Sequence, residues 1–183
     1  MIPILDWTLE TIRKEDSSFS WIEECRYEWV PIAQRAIKKI LEGQTALILT
    51  DEDRAWYAKY IANRINLPKG ERPFLPIYLL KSIFPHLNRL STAQELELLE
   101  DMLDISYPNG YFIWYIGKAD SIYTKFVFRN DENLLWIIDG DVPNGFYLKS
   151  GGSISLDIKL IQLFKLFNKT IDASLFNELD LEQ

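Results

Sequence analysis

The chain has 183 residues, 48% hydrophobic and 14% aromatic, enough to bury a sizeable core and too apolar for a disordered segment. Its formal charge of −7 disfavours direct contact with a nucleic-acid backbone, which requires clustered Lys and Arg; a basic protein partner or a merely soluble surface fits better. A single cysteine, Cys25, excludes an intrachain disulfide and a cysteine-based zinc cluster, so no metal and no cofactor is expected.

Two helices are predicted first. One covers about residues 5–15; a longer one, capped by Ser18 or Ser20, ends at Gly43 in the C′ position. Ile22, Cys25, Trp29, Ile32, Ala36 and Ile40 repeat along it at steps of three and four, and Pro31 should kink it. The start, Met1 to Asp6, lacks the basic and apolar regions of a signal peptide, and the longest apolar run, Tyr111 to Ile116, is too short to span a bilayer. A cytoplasmic protein without membrane contact is therefore expected.

Short apolar runs at about 45–50, 74–79, 111–117 and 134–139 read as buried parallel strands, with Phe146-Tyr147-Leu148 as a fifth, edge strand. Helices are predicted at about 52–65, 92–105, 120–129 and 154–168, the first three with Asp51, Thr92 and Asp120 near their starts. This alternation predicts an α/β fold: a Rossmann-like, doubly wound, mostly parallel sheet of four or five strands flanked by helices, behind an N-terminal helical arm. Residues 1–183 are read as one domain, with N-terminal helices over 1–43, an α/β core over 44–168 and an acidic tail over 169–183.

The first strand runs straight into Asp51-Glu52-Asp53-Arg54. Nucleotide- and phosphate-binding α/β folds carry glycines at this turn, so that backbone amides can cradle a phosphate. Here carboxylates occupy the place, satisfy the helix end and repel a phosphate. With Asp139-Gly140-Asp141 after the fourth strand, Asp51 and Asp53 also permit an alternative reading, a Mg²⁺-dependent phosphohydrolase resembling the haloacid-dehalogenase phosphatases, with Asp139 as third acid. Against it stand N-capping for Asp51–Asp53, an ordinary Asp-Gly turn, and Arg54 where that family has Asp-x-Thr or Asp-x-Val. A Cys25–His86 dyad is formally available, but Cys25 falls on an apolar helical stripe and His86 in a loop. Gly151-Gly152-Ser153 could hold an anion at the last helix, or simply close a loop onto it.

Two features point to interfaces instead. In helix 52–65, Ala55, Ala58, Ile61, Ala62 and Ile65 supply a core stripe, which leaves Trp56 and Tyr60 stacked at i, i+4 on the opposite face. The last helix is apolar over most of its girth, and Leu175-Phe176 is an apolar pair within an acidic terminus; both predict contact with a partner or with further copies of the chain. Helix 92–105 carries Glu95, Glu97, Glu100, Asp101 and Asp104 without a basic residue, a solvated face or a landing strip for a basic partner.

The strings Leu5-Asp6-Trp7-Thr8-Leu9-Glu10-Thr11, Phe19-Ser20-Trp21, Glu28-Trp29-Val30-Pro31 and Thr50-Asp51-Glu52-Asp53-Arg54-Ala55-Trp56 resemble the HobA family. That resemblance implies a fold similar to sugar isomerase (SIS) domains and to DiaA, and assembly as a homotetramer. It also implies binding to the N-terminal domain of the replication initiator DnaA, with its assembly on the origin promoted, and no catalysis. DiaA-like chains end in a Leu-Phe pair similar to Leu175-Phe176. On this basis Trp56 and Tyr60, supported by Asp51 and Asp53, with Leu175 and Phe176 second, are the expected partner contacts.

Overall fold

In the computed structural model, which describes residues 2–67 and 72–182, five parallel strands form the central sheet. The short strand β1 (Ile2–Pro3) leads into α1 (Ile4–Lys14) and α2 (Ser20–Leu41). The sheet strands are β2 (Thr45–Thr50), β3 (Ile77–Leu79), β4 (Tyr111–Lys118), β5 (Leu134–Ile138) and β6 (Gly145–Leu148), in the order β3-β2-β4-β5-β6. Between them lie α3 (Ala55–Ile65), α4 (Leu80–Ile83), α5 (Ala93–Ser106) and α6 (Thr124–Val127), and α7 (Leu156–Leu175) follows the sheet. The order in which strands are added reverses at β2 and β4, the switch point at which α/β sheets usually place a ligand.

Alternation along the strands divides the core in two. Ala46, Ile48, Trp114, Ile116 and Trp136 face α1, α2, α3 and α7, while Leu47, Leu49, Ile113, Tyr115 and Ile137 face α4, α5 and α6. On the first side, Phe167 of α7 lies 4.8 Å from Trp114 and 5.9 Å from Trp136, centroid to centroid. The same division excludes the Cys25–His86 dyad, as the helical stripe and loop positions of the two residues imply. Cys25 packs on the first side, where burial pushes its thiol up, and His86 stacks edge-on to Phe84 on the second.

Several boundaries differ from expectation, each for a local reason. Neither Ser18 nor Ser20 caps α2; a single 3₁₀ turn, Ser17–Phe19, precedes it and is capped by Asp16, whose carboxylate accepts from the Ser18 amide at 2.8 Å. Pro31 lies inside α2 without ending it, and Gly43 follows the helix with φ +89°, as a C′ glycine should. Helix 120–129 shrinks to the single turn of α6. The last helix runs to Leu175 rather than to about 168, because Thr170, Ile171 and Ala173 continue its buried stripe and the Thr170 hydroxyl bonds back to the Leu166 carbonyl at 2.8 Å. The acidic terminus is tied down as well: β7 (Leu179–Asp180) pairs with β1, and Leu179 is buried.

Candidate interaction site

The acidic turn after β2 closes the sheet's usual ligand crevice from within. Asp51, only 7% exposed, accepts hydrogen bonds from Arg54 Nε at 2.8 Å, Arg54 Nη2 at 2.7 Å, the Arg54 amide at 3.2 Å and the Lys118 amide at the end of β4 at 2.9 Å. Gly117 makes this approach possible: a Cβ there would sit 2.8 Å from Asp51 Oδ2 and 2.6 Å from the Tyr115 hydroxyl. A carboxylate and guanidinium thus fill the place where a ligand anion would lie between β2 and β4. Glu52 is held beside them by the Tyr123 hydroxyl and by Lys81 at 2.9 Å, which together keep its carboxyl below the usual range. Asp53 points outward, 3.8 Å from Arg54 Nη2.

The phosphohydrolase alternative fails on this geometry. Asp51 is committed to Arg54, while Asp139 takes up the Ser150 amide at 2.9 Å and the Ser150 hydroxyl, bonds that hold its carboxyl low. Among the described residues no group of three or more His, Cys, Asp or Glu is placed to hold a metal ion. Nor is the Gly151-Gly152-Ser153 loop an open anion site: Lys159 Nζ reaches back to the Lys149 carbonyl at 2.9 Å and the Gly151 carbonyl at 3.4 Å, and Ser155 caps α7.

What remains is an apolar groove between α3 and α7. Tyr57 anchors α3 together with Ala58, Ile61 and Ile65 of the predicted stripe: it is fully buried and its hydroxyl donates to the Leu160 carbonyl at 2.5 Å. This rotates the helix relative to expectation. Trp56 stays 40% exposed, but Tyr60 turns partly inward, edge-on to Phe164 of α7 at 5.7 Å, with the Arg64 guanidinium 5.3 Å from its ring. Tyr60, Leu67, Ile161, Phe164 and Phe176 then line a cavity of about 600 Å³ edged by Arg64, Arg72, Lys165, Lys169 and Asp172. The Leu175-Phe176 pair is split: Leu175 packs on the core, while Phe176 is 51% exposed at the groove's end. Two segments that the sequence singled out separately, around Tyr60 and Phe176, therefore meet in one site.

The groove's charge is the part that composition hid. In a chain of net charge −7, four cations gather here. Arg72 is pinned by Asp172 at 2.7 Å, and Lys165 and Lys169 share Glu15 at 2.5 Å each, which holds the Glu15 carboxyl low. Helical spacing shows Lys165, Lys169 and Asp172 on one face of α7, but only the fold brings Arg64 and Arg72 to it.

Comparison with known proteins agrees with this architecture. The HobA family model, described as a DNA replication regulator, matches residues 1–181. The DNA replication regulator protein HobA of Helicobacter pylori is 28% identical over 185 residues, covering 96% of this chain and 97% of that protein. Two solved Helicobacter pylori structures are similar. HobA in complex with DnaA domains I–II has a TM-score of 0.73 at 25% identity, covering 98% of this chain and 99% of that one. HobA alone has a TM-score of 0.74 at 24% identity, with the same coverage.

Proposed function

The chain belongs to the HobA family of DNA replication regulators, and on that premise we propose that it is a non-catalytic scaffold binding the N-terminal domain of DnaA. It acts as one domain and assembles as a homotetramer, so that several initiator molecules are gathered at the chromosomal origin. Repeating a weak site on one oligomer raises the local concentration of bound initiator into the mM range given by short tethers, on the order of 1 mM. The similar HobA structure with DnaA domains I–II supports the partner.

The observation that carries the site is the meeting of Tyr60 and Phe176 in one apolar groove rimmed by cations, with Trp56 a turn away on α3. Exposed aromatic rings beside a pocket are the anchors protein interfaces favour, and the rim fits a partner segment whose apolar side chains are flanked by carboxylates. Asp53, on the outer side of the closed turn, adds a peripheral charge. Asp51 serves the site indirectly by fixing the start of α3.

The test is light scattering behind a sizing column, with and without the N-terminal domain of DnaA. A tetramer-sized peak gains mass with the domain. Tyr60→Ala with Phe176→Ser abolishes the gain at unchanged oligomer mass. A mass gain that survives this double substitution removes the groove from the interface.

A further inference from the structure

A second surface lies across the sheet from the groove. Helix α5 packs on the α4–α6 side through Leu96, Leu99 and Leu103, yet Leu98 is 62% and Ile105 83% exposed. At 3.6 residues per turn, Leu98, half-buried Met102 and Ile105 occupy positions i, i+4 and i+7, a continuous apolar row along the helix. Glu97, Asp101 and Asp104 repeat the same spacing one residue earlier, so an acidic row runs beside the apolar one.

Little among the described residues neutralises that acidic row. Among the described residues, Glu97 reaches only Arg129, at 3.8 Å, and that guanidinium is committed to Glu100 at 2.7 Å; Asp101 and Asp104 have no ion pair. The local field is felt nearby: burial first, then Asp104 and Glu100, push the Tyr111 phenol up to about 12. The helix is also firmly built. Thr92 and Glu95 form a reciprocal capping box, with the Glu95 amide donating to Thr92 Oγ1 at 3.2 Å and the Thr92 amide to Glu95 at 2.9 Å. The two rows are therefore presented on a preformed helix.

We propose that the outer face of α5 is a docking surface for a basic amphipathic helix of a second protein partner. Laid alongside α5, such a helix covers Leu98, Met102 and Ile105 with its own apolar row and sets Lys or Arg against Glu97, Asp101 and Asp104. Paired rows fix both partner chemistry and register, which a diffuse acidic surface would not. The sign of charge is opposite to that of the α3/α7 groove, and the two faces lie on opposite sides of the sheet. One copy can therefore hold the initiator domain in its groove and a basic helix on α5 at once, an adaptor as well as a scaffold. This inference is independent of the groove's occupant.

The probes are two fluorescein-labelled 18-residue helical peptides with the same Leu row, one flanked by Lys and one by Glu, titrated by anisotropy against the full chain. The Lys peptide binds and the Glu peptide does not. Leu98→Ser with Ile105→Ser weakens binding at least tenfold, and Asp101→Asn with Asp104→Asn weakens it and flattens its salt dependence. Glu24→Gln with Glu28→Gln, the same charge change on α2 across the sheet, leaves it within twofold. Equal loss from both charge pairs reveals a general attraction to an acidic protein and overturns the proposal. So does a fall in oligomer mass in the Leu98 and Ile105 variant, which would assign the face to contact between copies of the chain. Retained binding of the DnaA domain in these variants separates the α5 face from the groove.

Discussion

Replacing Asp51 by Asn removes one charge and almost no volume, and tests whether the turn after β2 is held by an internal ion pair. The Arg54 guanidinium is as buried as its partner, each side chain about 10% exposed, and it makes two of the four hydrogen bonds to that carboxylate. Removing one member of a buried pair strands the other, typically for about 3–5 kcal/mol. Two features place Asp51→Asn near the lower end. An amide oxygen still accepts from the Lys118 amide, and Asp53, already 3.8 Å from Arg54 Nη2, can swing closer. About 3 kcal/mol is a large part of the roughly 5–15 kcal/mol that stabilises a typical domain, and corresponds to a fall in Tm of about 6–12 °C for a chain of this size. Urea unfolding at neutral pH, followed by circular dichroism, measures it. Asp51→Asn with Arg54→Met leaves no stranded charge and recovers most of the loss. If the single substitution costs under about 1 kcal/mol, or the double variant is no better than the single, the ion pair is not what closes the crevice.

Gly117→Ala tests the same closure from the other strand: the new Cβ must displace the Asp51 carboxylate or the Tyr115 ring, an overpacking cost of about 1–3 kcal/mol visible in the same urea midpoint. Phe167→Ala opens a cavity against Trp114 and Trp136 and should cost about 3–5 kcal/mol, with a parallel change in tryptophan fluorescence of the native state. Glu15 gives a pH signature. Lys165 and Lys169 hold its carboxyl below the ordinary 4.5, so its stabilisation is fully present above that value and is lost as pH falls through the lower, folded-state value. Glu15→Gln should therefore be less stable than the parent at pH 7, by about 1 kcal/mol because the two lysines it serves are about half exposed, and the two unfolding curves should converge in acid.

Where burial alone decided structure, the residues were readable. β2 is found at its expected bounds because four apolar residues, Ala46–Leu49, flanked by two β-branched threonines lie between Gly43 and an acidic turn, and all six residues are buried. β3 begins three residues later than expected because Pro76 has no amide to give to a ladder. The end of α7 was hidden by Asn168, Lys169 and Thr170, which look like a polar stop; Thr170 is buried only because its hydroxyl finds the Leu166 carbonyl. Tyr57 was missed for the same reason: a phenol is admitted to the core once the Leu160 carbonyl of a distant helix accepts its hydrogen bond. The groove itself joins residues of α3 and α7 that no local periodicity relates, so its aromatic members were nameable singly but their meeting and its charged rim were not.

A closed crevice also constrains how the protein can act, and this separates a scaffold from an allosteric activator. With the switch point filled by Asp51 and Arg54, the proposed recognition falls to helix faces that are already formed, and the groove between α3 and α7 would anchor one domain from the outside. On the proposed scaffold reading, its effect comes from holding several partners on one oligomer. That mechanism carries a concentration signature. With initiator domains labelled as energy-transfer donor and acceptor, transfer should rise as the protein is added, peak near one site per domain, and fall again when excess sites separate the domains onto different oligomers. An activator that altered each initiator molecule by itself would give transfer that saturates and stays high. A plateau without decline would refute gathering even if the domain binds in the groove, whereas a peak that vanishes in Tyr60→Ala with Phe176→Ser would tie the gathering to that site.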